Sequence, residues 1–264
     1  MVISIKNIIK NYGIEGDILL YRGENHRKKG LCDYLKNNLP VSGKTIITYS
    51  DGAFGLFLAR ALPDNQVITH YRHISPDYGE LMEVQPNLTL VGEMDGLSGW
   101  KEYCKQNYIG DNYLFINQFE DSIVTDYYNG YFSTVVDALK SYPVDAFCDC
   151  GHSCQTLAGF ISRNRVDNLV DWFFILGVNL YPRTNLWFLD KHLGYFVQYT
   201  TKDFDTLTIG KRIEAAFPAF GNVYEATRSI TAAMSFLKDN PGKTVAVYVG
   251  DSREKEGTKF GQDK

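Results

Sequence analysis

Short apolar segments alternate with amphipathic helical segments along most of the chain, and this alternation constrains the fold more than any other feature. Strand-like segments lie at 44–50, 66–72, 87–92, 112–117, 145–150, 172–178 and 244–250. Helical patterns lie at 51–62, 99–108, 131–142 and 224–240. Strands that alternate with helices are typical of parallel sheets covered by helices on both faces. The sequence therefore predicts an α/β fold.

The size and charge of the chain bound its class. With 264 residues and 44% hydrophobic content, it can bury a sizeable core as one large domain or two packed lobes. A net charge of −4 and a pI near 5.8 do not indicate binding to nucleic acid or to a membrane surface. The N-terminal segment lacks a secretion-signal pattern, and an odd count of five cysteines favours reduced thiols. We therefore expect a soluble, intracellular protein of the cytoplasm.

Three of the five cysteines fall within the stretch VDAFCDCGHSC at 144–154, which raises the question of a metal site or a disulfide. They are Cys148, Cys150 and Cys154. Zinc ligands usually come as two Cys-x2-Cys pairs, whereas these spacings are one and three residues. Cys32 and Cys104 are isolated in sequence. We predict that the cysteines bind no metal and form no disulfide. His70 and His73 could ligate a metal, but we expect them to be surface histidines after a strand.

The same stretch also has the pattern of a strand, a turn and a helix. The apolar segment DAFCDC follows Pro143, the chain turns at Gly151, and helical spacing continues beyond it. The N-terminus of a helix leaves backbone N–H groups available to an anion. We therefore predict an anion-binding loop at 151–156, with the cysteines as small buried residues. The alternative is an ordinary tight turn between a strand and a helix.

Five segments, taken in order, resemble the fold-type II pyridoxal-phosphate enzymes, and most closely the cysteine synthase and cystathionine β-synthase branch. They are RGENHRKKGLCDYL (22–35), SDGAFGLFLARAL (50–62), INQFEDSIVTDYYNGYFSTVVDAL (116–139), VDAFCDCGHSCQTLAG (144–159) and PGKTVAVYVGDSREK (241–255). They are similar, in turn, to five family segments: the lysine-bearing segment, the Thr/Ser-Ser-Gly-Asn-Thr-Gly loop, the Gln-Phe-x-Asn-Pro stretch, the phosphate loop, and the Asp-Ser-Gly turn. Together they span most of the chain.

The resemblance implies that Lys28 carries the cofactor as a Schiff base. Leu31 and Leu35 then fall on the same face of the following helix, as in the family. Lys29 is the alternative lysine. The alternative interpretation of the HRKK sequence is a solvated basic surface.

The cofactor that the resemblance implies is pyridoxal 5'-phosphate. Its phosphate would be held by Gly151, Ser153 and Thr156, with backbone N–H groups from His152, Cys154 and Gln155. The loop is one residue longer here than in the family. Ser252 matches the residue that meets the pyridine nitrogen, and Asp251 beside it would instead keep that nitrogen protonated. As an alternative, Gly-Asp-Ser at this place is simply a C-terminal turn.

The substrate-binding loop departs from the family pattern. The resemblance assigns substrate binding to Ser50, Asp51, Gly52 and Gln118. However, Asp51 stands where the family has a hydroxyl, and Ala53 stands where it has the Asn that touches the cofactor. A carboxylate at this loop would repel the carboxylate of a free amino acid. The change therefore indicates decarboxylation, a substrate whose amino acid is attached to a larger scaffold such as a modified nucleobase, or loss of activity.

The resemblance further implies two lobes with the cofactor between them, a larger one of residues 1–34 and 136–264 and a smaller one of 35–135. We expect a homodimeric lyase that acts at the α-carbon of an amino acid or aminoacyl substrate, by decarboxylation or by β-elimination or replacement. One alternative is a catalytically inactive binding subunit of the same fold. Another is an unrelated α/β protein that binds a different phosphate ligand at 151–156.

Overall fold

The computed structural model describes most of the chain, in two compact units. The described residues are 1–23, 27–49, 53–70, 82–92, 96–118, 121–149, 174–177, 196–198, 204–221, 223 and 226–250. The first unit comprises residues 1–24 and 125–252, and the second comprises 25–124 and 253–264. Along the sequence, the boundaries between these units fall at 24/25 and 124/125, whereas the boundaries predicted for the two lobes fall at 34/35 and 135/136.

The first unit contains a six-stranded sheet in the order β1-β2-β10-β7-β8-β9. Its strands are β1 (Val2–Ser4), β2 (Asp17–Tyr21), β7 (Ala146–Asp149), β8 (Phe174–Gly177), β9 (Phe196–Gln198) and β10 (Thr244–Tyr248). Its helices are α1 (Lys6–Lys10), α5 (Ser122–Leu139, which begins three residues before the unit does), α6 (Thr206–Ala216) and α7 (Thr227–Asp239). A 3-10 turn, Pro218–Phe220, separates α6 from α7. All neighbouring strands are parallel except the edge pair β1 and β2.

Helices cover both faces of this sheet, as the alternation of its side chains requires. On one face, Ile18, Val245 and Cys148 belong to an aliphatic cluster with residues of α1, α6 and α7. On the other face, Phe147 and Tyr248 contact Phe132 of α5, with ring centroids 6.2 and 6.4 Å apart. Strands buried on both sides read as continuous apolar runs, which explains the sequences of β7 and β10.

Strand β2 joins two distant parts of the chain. It pairs in parallel with β10, so that Asp17 lies opposite Thr244 and Tyr21 opposite Tyr248. The turn before β2 is tightly packed, because Gly16 has φ +136° and a Cβ there would lie 2.5 Å from the carbonyl oxygen of Lys243. Only glycine fits such a backbone conformation and such a close approach.

The second unit contains an all-parallel, four-stranded sheet in the order β5-β4-β3-β6. Its strands are β3 (Thr45–Tyr49), β4 (Val67–His70), β5 (Leu88–Val91) and β6 (Tyr113–Ile116), and its helices are α2 (Arg27–Asn38), α3 (Ala53–Ala61) and α4 (Gly96–Asn107). Helices α2 and α3 contact each other, and α3 packs on β4, where Gly55 lies against Thr69. On the opposite face, Trp100 of α4 packs on Ile47 and Ile68.

The structure confirms the predicted α/β class and its parallel sheets, with the antiparallel β1 as an addition at one edge. Each predicted strand overlaps an observed one. The helix predicted at 131–142 is longer, since α5 begins at Ser122. Among the elements in the described ranges, the strands β1, β2 and β9, the helices α1 and α6 and the 3-10 turn Pro218–Phe220 were not predicted. Among the described residues, no helix is long and apolar enough to span a membrane.

Candidate functional site

Parallel strands place their following loops at one edge of a sheet, and each unit has such an edge. In the first unit, β7 leads toward residues 151–156 and β10 leads toward Ser252. These two strands are adjacent and parallel. In the second unit, β3 leads toward residues 50–52 and β6 leads to Gln118, and these strands are also adjacent and parallel. The carboxyl ends of strands in open α/β sheets are the usual location of ligand sites.

Most of the predicted site residues lie outside the residues that the structure describes. These are Ser50, Asp51, Gly52, Gly151, His152, Ser153, Cys154, Gln155, Thr156, Asp251 and Ser252. Lys28 and Gln118 are described. Both belong to the second unit.

Lys28 and Lys29 occupy different faces of α2. The buried residues of this helix are Leu31, Cys32 and Leu35. Lys28 precedes Leu31 by three positions and Cys32 by four, so it begins the same stripe and is half-buried. Lys29 is exposed, and its Nζ donates to Oδ2 of Asp33 at 2.8 Å. The local geometry therefore separates the two lysines that the sequence left as alternatives.

The electrostatics of α2 follow the same division. The hydrogen bond that Lys29 donates to the Asp33 carboxylate, together with the negative charge of that carboxylate, raises the pKa of Lys29. Burial raises the pKa of the Cys32 thiol, and the positive charges of Lys28 and Lys29 oppose that shift. Cys32 is thus a buried, protonated side chain one helical turn beyond Lys28.

A closed turn holds Gln118 at the end of β6. The backbone N–H of Asn117 donates to Oδ2 of Asp121 at 2.8 Å, and the N–H of Asp121 donates to the carbonyl oxygen of Asn117 at 3.1 Å. The buried hydroxyl of Thr48 on β3 also donates to the carbonyl oxygen of Ile116 at 2.7 Å. These contacts fix the adjacent ends of β3 and β6, from which residues 50–52 and Gln118 continue.

His70 is not a surface histidine, so that prediction is wrong. It ends β4, is fully buried, and stacks on Trp100 with ring centroids 5.7 Å apart. Its Nδ1 lies 3.1 Å from the carbonyl oxygen of Gly92. Helix α4 covers this end of β4, a tertiary contact that the local sequence does not show. His73 lies outside the described residues.

Two groups at the carboxyl edge of the first sheet were not identified from the sequence. Arg22 directly follows β2 and is buried, with 8% of its surface exposed. The hydroxyl groups of Tyr131 on α5 and Tyr248 on β10 are 3.0 Å apart. The signal for Arg22 was a charged residue immediately after the apolar run DILLY. The tyrosine pair joins residues far apart in sequence, so it had no local signal.

The cysteines of the described regions are buried. Cys148 lies in β7, and its thiol donates to the carbonyl oxygen of Ser229 at 3.4 Å. Cys32 and Cys104 lie in α2 and α4 of the second unit. Within the described ranges, the structure brings no three His, Cys, Asp or Glu residues together in a metal-binding arrangement. Cys150 and Cys154 lie outside those ranges.

Comparison with known proteins gives similarity at the level of structure. No protein-family model matches the chain, and no curated protein sequence matches it. The structure of O-ureido-L-serine synthase aligns with a TM-score of 0.73 and 15% identity, over 100% of this chain and 93% of that one. The cysteine synthase of Entamoeba histolytica aligns with a TM-score of 0.70 and 15% identity, over 98% and 86%.

The O-acetylserine-dependent cystathionine β-synthase of Helicobacter pylori is similar to the same extent. It aligns with a TM-score of 0.73 and 16% identity, over 95% of this chain and 92% of that one. All three alignments cover nearly the whole of both chains, which a likeness confined to one unit would not do. The chain therefore has the fold of the cysteine synthase-like, fold-type II pyridoxal-phosphate enzymes.

Proposed function

We propose that this protein is a pyridoxal-phosphate-dependent lyase that acts at the α-carbon of an amino acid or aminoacyl substrate. The observation that carries the proposal is the placement of Lys28, which begins the buried stripe of α2 in a chain with this fold. Lys29 fits the role poorly, because it is exposed and already paired with Asp33. Lys28 is therefore the proposed attachment point of the cofactor.

The other residues present match what the cofactor requires. Gly151, Ser153 and Thr156, with the backbone of His152, Cys154 and Gln155, are proposed to bind the phosphate at the end of β7. Ser252, which follows the adjacent strand β10, is proposed to meet the pyridine nitrogen. When bound, pyridoxal phosphate supplies an electron sink for negative charge that develops at the α-carbon. The chain's own contribution is attachment, orientation and electrostatics.

The substrate side is proposed to lie at the carboxyl edge of the second sheet. Gln118 is held there by the Asn117–Asp121 turn and can donate to a substrate carboxylate. Ser50, Asp51 and Gly52 continue from the adjacent strand β3. Because Asp51 would repel a carboxylate, we propose a substrate whose amino acid is attached to a larger scaffold, such as a modified nucleobase. Contacts with the scaffold would supply the binding energy that the loop does not.

Decarboxylation is the proposed reaction, with β-elimination or replacement as the alternative. A carboxylate that leaves as carbon dioxide reacts faster where it is poorly solvated, and an acidic loop offers it no cation. The names of the structural neighbours point to chemistry on serine derivatives instead. The substitution of Ala53 for the family's Asn also favours a second candidate, an inactive binding subunit of the same fold. Cytoplasmic location and a homodimer belong to the same proposal.

An absorption spectrum of the purified protein with added pyridoxal phosphate tests the proposal. We expect a band near ~420 nm, which borohydride removes while it fixes the cofactor to a lysine. Peptide mass spectrometry should place the adduct on Lys28. Lys28→Ala should abolish the band, and the matched control Lys29→Ala should retain it.

The possible outcomes separate the candidates. An adduct on Lys29, or a band that survives Lys28→Ala, would contradict the assignment of the lysine. A normal band without turnover of any amino acid or aminoacyl compound would favour the inactive binding subunit. No band at all would overturn the proposed function. Thermal stabilisation by a different phosphate ligand would then indicate an unrelated role for 151–156.

A further inference from the structure

Arg22 is a buried cation at the carboxyl edge of the first sheet. It follows the last residue of β2, and only 8% of its surface is exposed. Its Nη1 donates to the carbonyl oxygen of Gly250 at 3.0 Å, and its guanidinium lies 5.1 Å from the ring centroid of Phe220. Burying a charged side chain is unfavourable unless contacts of this kind compensate.

The contacts of Arg22 join three segments that end at the same edge. Gly250 follows β10, and Phe220 ends the 3-10 turn that precedes α7. The pairing of β2 with β10 extends one residue beyond β10, because the N–H of Val249 donates to the carbonyl oxygen of Tyr21, the last residue of β2, at 2.8 Å. Arg22 then holds the next residue, Gly250, by its carbonyl. The ladder and the guanidinium together fix the chain up to residue 250.

We propose that Arg22 is a positioning residue of the cofactor site. By holding Gly250, it fixes the last described residue before Asp251 and Ser252, and Ser252 is the proposed partner of the pyridine nitrogen. A glycine has wide conformational freedom, so an external contact is needed to restrict it. This inference rests on the proposed function and deepens it, because it assigns a role to a residue that does not itself touch the cofactor.

A role in stability alone explains Arg22 less well. A buried apolar side chain of similar volume often serves stability as well as or better than a buried charge. The guanidinium, however, combines a directional donor for Gly250 with a planar cation for the Phe220 ring. This combination fixes a backbone position, which methionine or leucine cannot do.

Three variants of the full chain test the inference. Arg22→Met removes the donor but keeps much of the volume, whereas Arg22→Gln keeps a donor without the charge. Arg212→Met is the matched control, since Arg212 lies in the same unit with its guanidinium 5.3 Å from the Tyr12 ring but is exposed. The affinity for pyridoxal phosphate is measured by titration of the absorption band, and the melting temperature of the cofactor-free protein is measured in parallel.

We expect Arg22→Met to weaken cofactor affinity about tenfold or more, which is the usual effect of losing a hydrogen bond to a charged group. Arg22→Gln should recover part of the loss at an equal or lower melting temperature. Arg212→Met should bind the cofactor like the wild type. If Arg22→Gln recovers cofactor affinity without recovering the melting temperature, Arg22 acts by positioning the site and not only by stabilising the fold.

The results that would overturn the inference differ from those that overturn the proposed function. If the wild type binds the cofactor and folded Arg22→Met and Arg22→Gln bind it equally well, the positioning role is wrong and the proposed function stands. If Arg22→Met does not fold, the comparison of Arg22→Gln with the wild type decides. If the wild type itself binds no pyridoxal phosphate, the proposed function fails and the inference fails with it.

Discussion

One face of each sheet packs on a helix, and the chemistry of this packing differs between the two units. In the first unit, one face of the sheet packs on aliphatic side chains of α7, including Ile230 and Leu237, with Phe236 among them. In the second, α4 packs on its sheet through an aromatic stack, in which Trp100 lies between His70 and Tyr103 at centroid distances of 5.7 and 5.6 Å.

The difference predicts that the cores of the two units tolerate substitutions unequally. Aliphatic side chains repack when one of them changes, because their contacts have little directionality. Stacked rings depend on orientation, so they lose more when one ring is removed. The carboxyl edges differ as well. Buried Arg22 fixes the first edge, whereas polar contacts of Thr48 and Asn117 fix the second.

The largest effect that would sharpen this comparison is expected from Trp100. Trp100→Ala should destabilise the protein by about 3–5 kcal/mol, because it removes a fully buried side chain and leaves a cavity. Ile230→Val in the aliphatic cluster should cost about 0.5–1.5 kcal/mol. Urea unfolding followed by circular dichroism measures both.

Trp100→Phe is the matched control for the stack. It keeps an aromatic ring and removes an indole N–H that has no hydrogen-bond acceptor within the described residues. It should therefore lower the free energy of unfolding less than the other Trp100 substitutions do. If Trp100→Ala destabilises the protein no more than Ile230→Val, the distinction between aromatic and aliphatic packing has no energetic basis.

An intermediate effect is expected at the edge of the second unit. Asp51→Ser combined with Ala53→Asn should tighten binding of a free amino acid such as O-acetylserine about tenfold, because a repulsive charge is removed and a donor is added. Cofactor affinity should not fall, because Ala53→Asn adds an amide at the position where the resemblance places a contact with the cofactor. The measurement is the spectral titration of the cofactor-loaded protein.

Asp111→Ser provides the control for that double substitution. Asp111 is exposed and precedes β6, so it lies at the opposite edge of the second sheet from Gln118. Asp111→Ser should change neither the affinity for the free amino acid nor the affinity for the cofactor. Efficient β-replacement on free O-acetylserine by the unmodified protein would refute the substrate proposal.

The smallest effect concerns alkaline pH and again the second unit. Burial raises the pKa of Cys104 from about 9 to about 11. Between these values the unfolded chain loses a proton that the folded chain keeps, so stability is full below the lower value and falls as the pH rises. Cys104→Ala should flatten the decline in the urea midpoint from about pH 8 to about pH 10.5. An unchanged slope in that variant would show that other groups cause it.

Tyr108 extends the same behaviour to higher pH. Burial, with the neighbouring Tyr103, raises its pKa to about 12. The corresponding loss of stability therefore begins near the ordinary tyrosine pKa of about 10, above the pH at which the loss from Cys104 begins. Tyr108→Phe should leave the slope between about pH 8 and about pH 10 nearly unchanged, which makes it the control for Cys104→Ala.

The sequence predicted the buried strands well, because β3, β4, β7 and β10 are apolar runs bounded by turn residues. It did not predict α6, since Thr206–Ala216 follows a polar, tyrosine-rich stretch. The structure shows what defines that helix: the side chain of Asp205 caps it by accepting from the N–H groups of Leu207 and Thr208.

The same contrast holds for the candidate site. Lys28 was assigned by resemblance, with Lys29 as the alternative, and the choice between them stays a prediction. The structure adds that Lys28 begins the buried stripe of α2, whereas Lys29 is exposed and paired with Asp33. The start of α5 was missed because Ser122–Gly130 is rich in β-branched and aromatic residues, and its packing on the sheet overrides their weak helix propensity. Arg22 and His70 owe their burial to segments distant in sequence, which no local pattern records.

The parallel pairing of β2 with β10 has a consequence for how the chain folds as it is synthesised. The hydrogen bond from Arg22 to Gly250 joins residues 228 positions apart, and the whole contiguous segment of the second unit lies between them. On the ribosome, β2 emerges long before its partner exists, and contacts of such separation form late and slowly. We therefore expect the inserted second unit to fold first. Until β10 is synthesised, β2 can pair with β1 on one side, and the hydrogen-bonding groups of its other edge stay unpaired. The short length of β2 limits non-native pairing at that edge.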